Sequence, residues 1–197
     1  GNAFYKIRTI TNDDVVDEAT IISLYDNTLI AELICDEYNV AQLGSTENID
    51  ISTKLQALID SKDNVTIYIP EGTYLLDIVL KNKNMKIYGK GTIKGSIEQN
   101  TTFIDTNIEE CYNEISGIKF TKNENDYAIK LQTGRNFKIC NVNIDNTFDY
   151  GIYYNYNSNF NQRINRALIE NNVIYSKYGL YLKDETALGC ADITFSN

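Results

Sequence analysis

Between Val65 and Gly95 the chain reads VTIYIPEGTYLLDIVLKNKNMKIYGKGTIKG, and no other stretch restricts the fold so strongly. Val65, Ile67 and Ile69 alternate with Thr66 and Tyr68, which is the period of a strand with one apolar face; Pro70-Glu71-Gly72 then breaks it. Tyr74 to Leu80 forms a second, almost continuously apolar strand. Lys81 to Asn84 makes a polar corner, Met85 to Tyr88 alternates again, and Gly89 and Gly91 turn the chain into Thr92-Ile93-Lys94. The gaps are too short for the helical crossover that neighbouring parallel strands of an open α/β sheet require. None carries the two-residue Asn-Gly or Asp-Gly turn of a tight hairpin either. Short strands joined by broad polar corners point to a coil in which each strand lies above an earlier one.

The second half of the chain repeats this pattern. Asp126-Tyr127-Ala128-Ile129-Lys130-Leu131, Asp149-Tyr150-Gly151-Ile152-Tyr153-Tyr154 and Lys177-Tyr178-Gly179-Leu180-Tyr181-Leu182 align without gaps, their starts 23 and 28 residues apart. Partner strands precede them at Ile118 to Phe120, Val142 to Ile144 and Val173 to Tyr175, with Ile193-Thr194-Phe195 expected as a fourth. A period in the twenties with two or three short strands per turn is that of a parallel β-helix, whose coils bury their inner face only against neighbours. The alignment predicts that Ile118/Phe120, Val142/Ile144 and Val173/Tyr175 stack on one wall. Asn136, Asn141, Asn143, Asn171 and Asn172 are expected mainly as corner residues bonded to backbone and to neighbouring coils, with sugar contacts as the alternative.

The run TIYIPEGTYLL followed by MKIYGKGTIKG resembles the first coil of pectate-lyase-like right-handed β-helices, in which an "IPaGtY" corner precedes an "l.GeGtI" corner. Tyr38 to Gly44 resembles that family's "yNVkdfGa" entry strand, and Ser52 to Asp60 its "dTaaIqaAId" helix. In the intervening loop, Ser45-Thr46-Glu47-Asn48-Ile49-Asp50 replaces the family's usual Gly-Asp-Gly and Asp-Asp. The resemblance covers roughly residues 38–95. It implies an all-β, right-handed parallel β-helix over residues 44–197 that begins near Val65. Its capping α-helix spans about residues 52–61, and residues 1–43 form a small N-terminal extension. Lyases, hydrolases and bacteriophage tail proteins share this fold, so function has to come from the site.

Helical spacing supports the cap: Leu55, Leu58 and Ile59 form one stripe behind Ser52, a suitable N-cap, and such a helix covers the open end of a solenoid. In the extension, Thr20 to Tyr25 and Thr28 to Ile34 are two apolar runs around Asp26-Asn27, fitting two strands or a strand and a short helix. Asn12-Asp13-Asp14 with Asp17-Glu18 reads as a solvated turn or helix start rather than a calcium site.

A net charge of −9 over 197 residues argues against nucleic acid or an anionic membrane as principal partner. No apolar run is long enough to span a bilayer, and GNAFYKIRT contains no apolar signal core. The chain begins with Gly and ends in mid-coil, which is expected of a fragment of a longer chain. With no histidine and no CxxC among Cys35, Cys111, Cys140 and Cys190, no zinc site is expected, and His-dependent catalysis is excluded. Cys140 and Cys190 adjoin apolar strands and are expected as buried thiols. No metal or cofactor is expected.

The alternation turns Lys130, Tyr153 and Tyr181 outward. Tyr153, Tyr156 and Tyr181, with Asn155 in an Asn155-Tyr156-Asn157 corner, form a candidate carbohydrate-binding surface, since rings pack on sugar faces while amides bond hydroxyls. Asp126 and Asp149 hold the same place in adjacent coils, close to the separation of about 5 Å used by retaining glycosidases, and are the candidate catalytic pair. No "NTD", "DD" or "RIK" motif of the lyase and polygalacturonase relatives occurs in the repeats. Arg135, Arg163 and Arg166 near corners are surface residues or contacts for an anionic polymer. The expected role is a bacteriophage tail-spike or appendage β-helix of the virion that binds a host cell-surface polysaccharide, joined to other virion proteins through residues 1–43 and compatible with a homotrimer. A secreted, extracellular polysaccharide lyase or glycoside hydrolase acting on an anionic or cell-wall glycan and a purely structural stem are the alternatives.

Overall fold

The computed structural model describes residues 4–12, 14, 16, 21–24, 28–34, 37–60, 62–81, 84–100, 112–156, 164–184 and 191–196. From residue 37 onward the chain winds into a parallel β-helix with three walls. The first stacks β4 (Glu37–Asn39), β5 (Thr66–Ile69), β7 (Lys86–Gly89), β9 (Asn113–Ser116), β12 (Phe137–Cys140), β15 (Ile164–Glu170) and β18 (Ala191–Ser196), every pair parallel. Two long strands, β6 (Thr73–Leu80) and β8 (Thr92–Asn100), bend to serve two walls. The first part of β8 continues into β10 (Lys119–Thr121), β13 (Asn143–Ile144) and β16 (Val173–Ile174), which make the second wall. Its second part continues into β11 (Tyr127–Arg135), β14 (Tyr150–Tyr156) and β17 (Tyr178–Asp184), the third wall.

Alternation supplies one inward residue in two, and the coils place these residues over one another. Tyr38, Ile67, Ile87, Ile115, Ile139 and Ile169 form a register column on the first wall, which the backbone of Phe195 extends. Tyr74, Ile93, Phe120, Ile144 and Ile174 do so on the second, and Ile78, Ile97, Ile129, Ile152 and Leu180 on the third. These columns meet in a single core. Each fully buried Ile or Phe contributes roughly 1.5–3 kcal/mol, an upper estimate because the unfolded chain already hides some surface.

The corners depend on left-handed backbone. Gly117 (φ 74°), Asn141 (φ 56°) and Asn171 (φ 53°) share one register between the first and second walls. Gly and Asn are the residues that enter this region at least cost. Their N–H groups donate upward, Gly117 to the Cys140 carbonyl and Asn141 to that of Glu170. Asn172 carries the side-chain role expected of corner asparagines: its Oδ1 accepts from Val142 N–H at 2.9 Å and its Nδ2 donates to the Ile139 carbonyl at 3.1 Å. Asn136 (φ 52°) turns the corner between the third and first walls, whereas Asn143 lies within β13.

Helix α1 (Ser52–Asp60) covers the end of the coil and buries Leu55, Leu58 and Ile59. It also serves the edge of β6. The Asp77 N–H donates to Ser52 Oγ at 2.8 Å, and Gln56 takes a strand's place by accepting from Val79 N–H at 2.7 Å while donating to its carbonyl at 2.9 Å. The first helical bond runs from Leu55 N–H to the Ile51 carbonyl, so Ile51 is the N-cap and Ser52 lies one residue inside. Ser52 therefore anchors β6 rather than capping the helix. The loop before α1 docks on the same edge through Leu75 N–H, which donates to the Thr46 carbonyl at 3.0 Å. Ser61 lies outside the described residues.

Several details differ from the sequence reading. Strand β4 already pairs in parallel with β5, ahead of Val65. On the second wall Val173 pairs with Asn143 and Ile174 with Ile144, one residue off the predicted stack. Asn172 occupies the place below which Val142 lies, which pushes Val173 and Tyr175 to the surface. The final strand, β18, joins the first wall and is not a fourth partner on the second.

The extension is a three-stranded antiparallel sheet, with β3 (Leu29–Ile34) between β1 (Phe4–Thr9) and β2 (Ile21–Ser23); β1 escaped the sequence reading. Leu33 packs against the helix core. Arg8 bonds both oxygens of Asp14 at 2.5 and 2.7 Å and reaches Glu32 at 2.7 Å. Asp14 also accepts from the Thr11 N–H and hydroxyl, so it forms a closed turn. Asp13, Asp17 and Glu18 lie outside the described residues, as do Cys35, Cys111 and Cys190. Cys140 is buried as a free thiol, and burial raises its pKa.

Candidate functional site

The outer face of the third wall carries most of the ring contacts among the described residues. From the capped end, one register column runs Val79, Glu98, Lys130, Tyr153, Tyr181, and beside it Tyr127, Tyr150 and Tyr178 are stacked. Strict alternation would turn the second set away from the first. Ala128 and Gly151 interrupt it. Ala128 and Ile129 are both buried, as are Gly151 and Ile152, so Tyr127 and Lys130, and likewise Tyr150 and Tyr153, emerge on one side. Gly151 is required by close approach: a Cβ there would lie 2.4 Å from Ile174 Cγ2 and 2.8 Å from the Gly179 carbonyl oxygen.

Five rings thus form one cluster. Tyr150 and Tyr178 have centroids 5.4 Å apart with planes at 19°, and Tyr153 and Tyr181 5.7 Å apart at 22°. Tyr150 and Tyr153 are 5.1 Å apart within one coil, Tyr127 lies 6.2 Å from Tyr153, and Tyr150 and Tyr178 both reach Tyr181. Three of these pairs are stacked and three tilted, and such pairs are each worth about 0.5–1.5 kcal/mol beyond area burial. Such rings cover one another only partly. Tyr178 and Tyr181, in the outermost described coil of this wall, are 44% and 36% exposed, leaving part of each residue accessible to a ligand.

Towards the capped end the cluster passes into polar residues. Lys130 pairs with Glu98 at 3.0 Å, both side chains largely buried, and its ammonium lies 5.6 Å from the Tyr127 ring centroid. Burial, then the charges of Glu98 and Asp77 and a hydrogen bond with Glu98, push the Tyr127 phenol up to about 12. It stays a neutral phenol at any physiological pH. Asp77 accepts from Ser96 Oγ at 2.7 Å and from Asn125 Nδ2 at 3.1 Å. Beyond it, a shallow concavity between α1 and β6, about 430 Å³, is lined by Ser52, Thr53, Gln56, Ala57, Asp60 and Asp77.

The structure brings Tyr153 and Tyr181 together as vertical neighbours. Asn155 follows on the same outward alternation, but as part of β14 rather than in a corner, and its backbone pairs with Lys183. Tyr156 is the last residue of β14; its side chain lies outside what is described. Tyr127, Tyr150 and Tyr178 were missed as site residues. Their signal is the second position of each aligned repeat, a Tyr before a small residue, where a break in alternation is to be expected.

Asp126 and Asp149 occupy equivalent positions in adjacent coils: Tyr150 N–H donates to the Asp126 carbonyl and Tyr178 N–H to that of Asp149. Both side chains are exposed. Lys122 binds the Asp126 carboxylate, and this bond, with the charges of both aspartates, raises the Lys122 pKa. Arg166 is exposed in left-handed conformation (φ 56°) at the corner beside Asn136. The side chain of Arg135 and all of Arg163 lie outside the described residues. No group of three or more Asp, Glu, Cys or His side chains able to hold a metal ion occurs among the described residues.

No curated protein and no solved structure matches the chain. A family model does match, over residues 38–197, and its first residue is Tyr38, where the inward column of the first wall begins. With its stacked coils and that match over most of its length, the chain belongs to the family described as Rhamnogalacturonase A/epimerase, pectate lyase-like.

Proposed function

We propose that this polysaccharide-related β-helix is a binding module, the shaft of a bacteriophage tail-spike or appendage protein that holds a host cell-surface polysaccharide along the tyrosine ladder of its third wall. The observation that carries the reading is the ladder itself: five rings project from a wall whose core is already filled by Ile129, Ile152 and Tyr154. Tyr127 and Tyr150 are half-buried, and Tyr178 and Tyr181 are exposed. Rings and phenols of this kind suit saccharide faces and hydroxyls. Tyr153, Tyr181 and Asn155 belong to this surface, with Tyr156 at its margin. In this reading the antiparallel sheet ahead of the coil is the segment that joins other virion proteins, and three copies side by side form the spike.

The Asp126 and Asp149 pair is the centre of the competing reading, a lyase or glycoside hydrolase. Its members are exposed, and Asp126 is tied to Lys122. Retention of host cell-wall polysaccharide on immobilised protein distinguishes the two. Tyr153→Ala with Tyr181→Ala should abolish retention, and Tyr153→Phe with Tyr181→Phe should keep most of it, with circular dichroism confirming that both variants are folded. Asp126→Asn with Asp149→Asn should leave retention unchanged. Release of reducing ends or unsaturated products by the wild type that this Asp pair variant abolishes would refute the binding-module reading.

A further inference from the structure

We infer that the glycan held on the third wall is uncharged, a polymer of neutral or N-acetylated sugars rather than a polyuronate or a phosphate-bearing polymer; this rests on the binding reading above. Among the described residues, the cations of that wall lie against partners within the chain. An anionic chain laid on the ladder needs ammonium or guanidinium groups that can turn to its carboxylates or phosphates. Lys130 is paired with Glu98 and leans over Tyr127. Lys122 is bound by Asp126. Lys183, farther along β17, is engaged within the chain, and Lys177 lies 5.3 Å from the Tyr178 ring centroid, following Asp126 and Asp149 in the repeat alignment. Arg166 stands at another corner. Its register neighbour Asn136 is six residues along the chain from Lys130, about 20 Å at roughly 3.3 Å per residue.

The carboxylates are distributed differently. Asp77 is held by a hydroxyl and an amide, not by a described cation, and Asp149 is exposed. An acidic polymer approaching this wall meets these two carboxylates within a chain of net charge −9. Such a field slows the approach of like-charged ligands and raises the cost of seating them. A neutral sugar meets no such penalty, and the wall offers it what it can use: ring surface, phenol hydroxyls and the Asn125 and Asn155 amides. The assignment separates this chain's ligand from the acidic polymer that its family description names.

The test uses the whole chain immobilised on a sensor and two sets of probes. The neutral set is dextran, galactan, β-glucan and chitooligosaccharides; the anionic set is polygalacturonate, rhamnogalacturonan, alginate and glycerol-phosphate teichoic acid. At least one neutral probe should be retained, its affinity should change less than about twofold between about 0.05 and 0.5 M NaCl, and Tyr153→Ala with Tyr181→Ala should remove it. Retention of an anionic probe alone, weakened severalfold by salt and by Lys177→Ala, would overturn the charge assignment while leaving the ladder as a binding surface. Neutral retention that persists in the Tyr153→Ala, Tyr181→Ala variant would place the ligand elsewhere and overturn both readings. Failure of every probe in both sets would overturn the binding function itself, and this assignment with it.

Discussion

Replacing Ile152 by Asp tests the inward and outward assignment on which the site rests. Ile152 is fully buried between Ile129 and Leu180 in the third-wall column. Losing its apolar burial costs roughly 1.5–3 kcal/mol, and a buried polar group without a partner adds about 1–3 kcal/mol. The sum, roughly 2.5–6 kcal/mol, is a large part of the 5–15 kcal/mol that typically separates folded from unfolded domains. The new carboxyl also introduces a pH signature. Burial raises its folded pKa above the ordinary value of about 3.9, so the folded state favours the neutral acid. The deficit is smallest below that ordinary value and grows as pH rises through the folded pKa. Tyr153→Asp is the control. It removes contacts with Tyr127, Tyr150 and Tyr181, ring pairs of about 0.5–1.5 kcal/mol each that do not add fully, and places its carboxylate in water. Urea denaturation followed by far-ultraviolet circular dichroism, at pH 7 and pH 4.5, gives both differences. A smaller cost for Ile152→Asp than for Tyr153→Asp, or a cost for Ile152→Asp that does not shrink at pH 4.5, would show that residue 152 faces outward and that the third-wall register is wrong.

Other consequences can be checked separately. Gly151→Ala forces a Cβ to within 2.8 Å of the Gly179 carbonyl oxygen and should destabilise by about 1–3 kcal/mol in the same urea assay. A neutral effect would mean that the coils above and below residue 151 are less closely packed. The Arg8 hydrogen bonds hold the Asp14 carboxyl well below the usual carboxylate range. Their stabilisation of the N-terminal sheet is therefore present above about pH 4 and lost as pH falls towards the depressed value. Hydrogen exchange in β1 and β3 should accelerate relative to the coil core below pH 4 in the wild type, and already at pH 7 in Asp14→Asn. For Tyr127, with its phenol raised to about 12, the sign is the opposite. Its contribution is intact below the ordinary tyrosine value of about 10 and fades between 10 and 12. Burial also raises the Tyr74 phenol and a hydrogen bond with Glu37 that of Tyr88, so ultraviolet titration should find several late phenolates, of which Tyr127→Phe deletes one.

The sequence alone determined that this chain is a parallel β-helix with a capped end. The period-two runs, the Pro70 to Gly72 and Gly89 to Gly91 breaks, and the stripe of Leu55, Leu58 and Ile59 are local signals, written in residues a few positions apart. It also placed Tyr153 above Lys130 and below Tyr181, because those three repeats align without gaps. Tertiary structure decided what depends on the relation between coils. Asn172 takes the inner place that Ile118 and Val142 hold in the two coils before it, so Val173 and Tyr175 alternate outward, and β18 joined the first wall instead of the second. Strand β1 was hidden because FYKIRT becomes a strand only by pairing with β3. The Tyr127, Tyr150 and Tyr178 column was hidden for a related reason. A Tyr before a small residue marks the place in each repeat, but the break in alternation is fixed only where the next coil packs against Gly151, and that contact joins residues more than twenty positions apart in the chain.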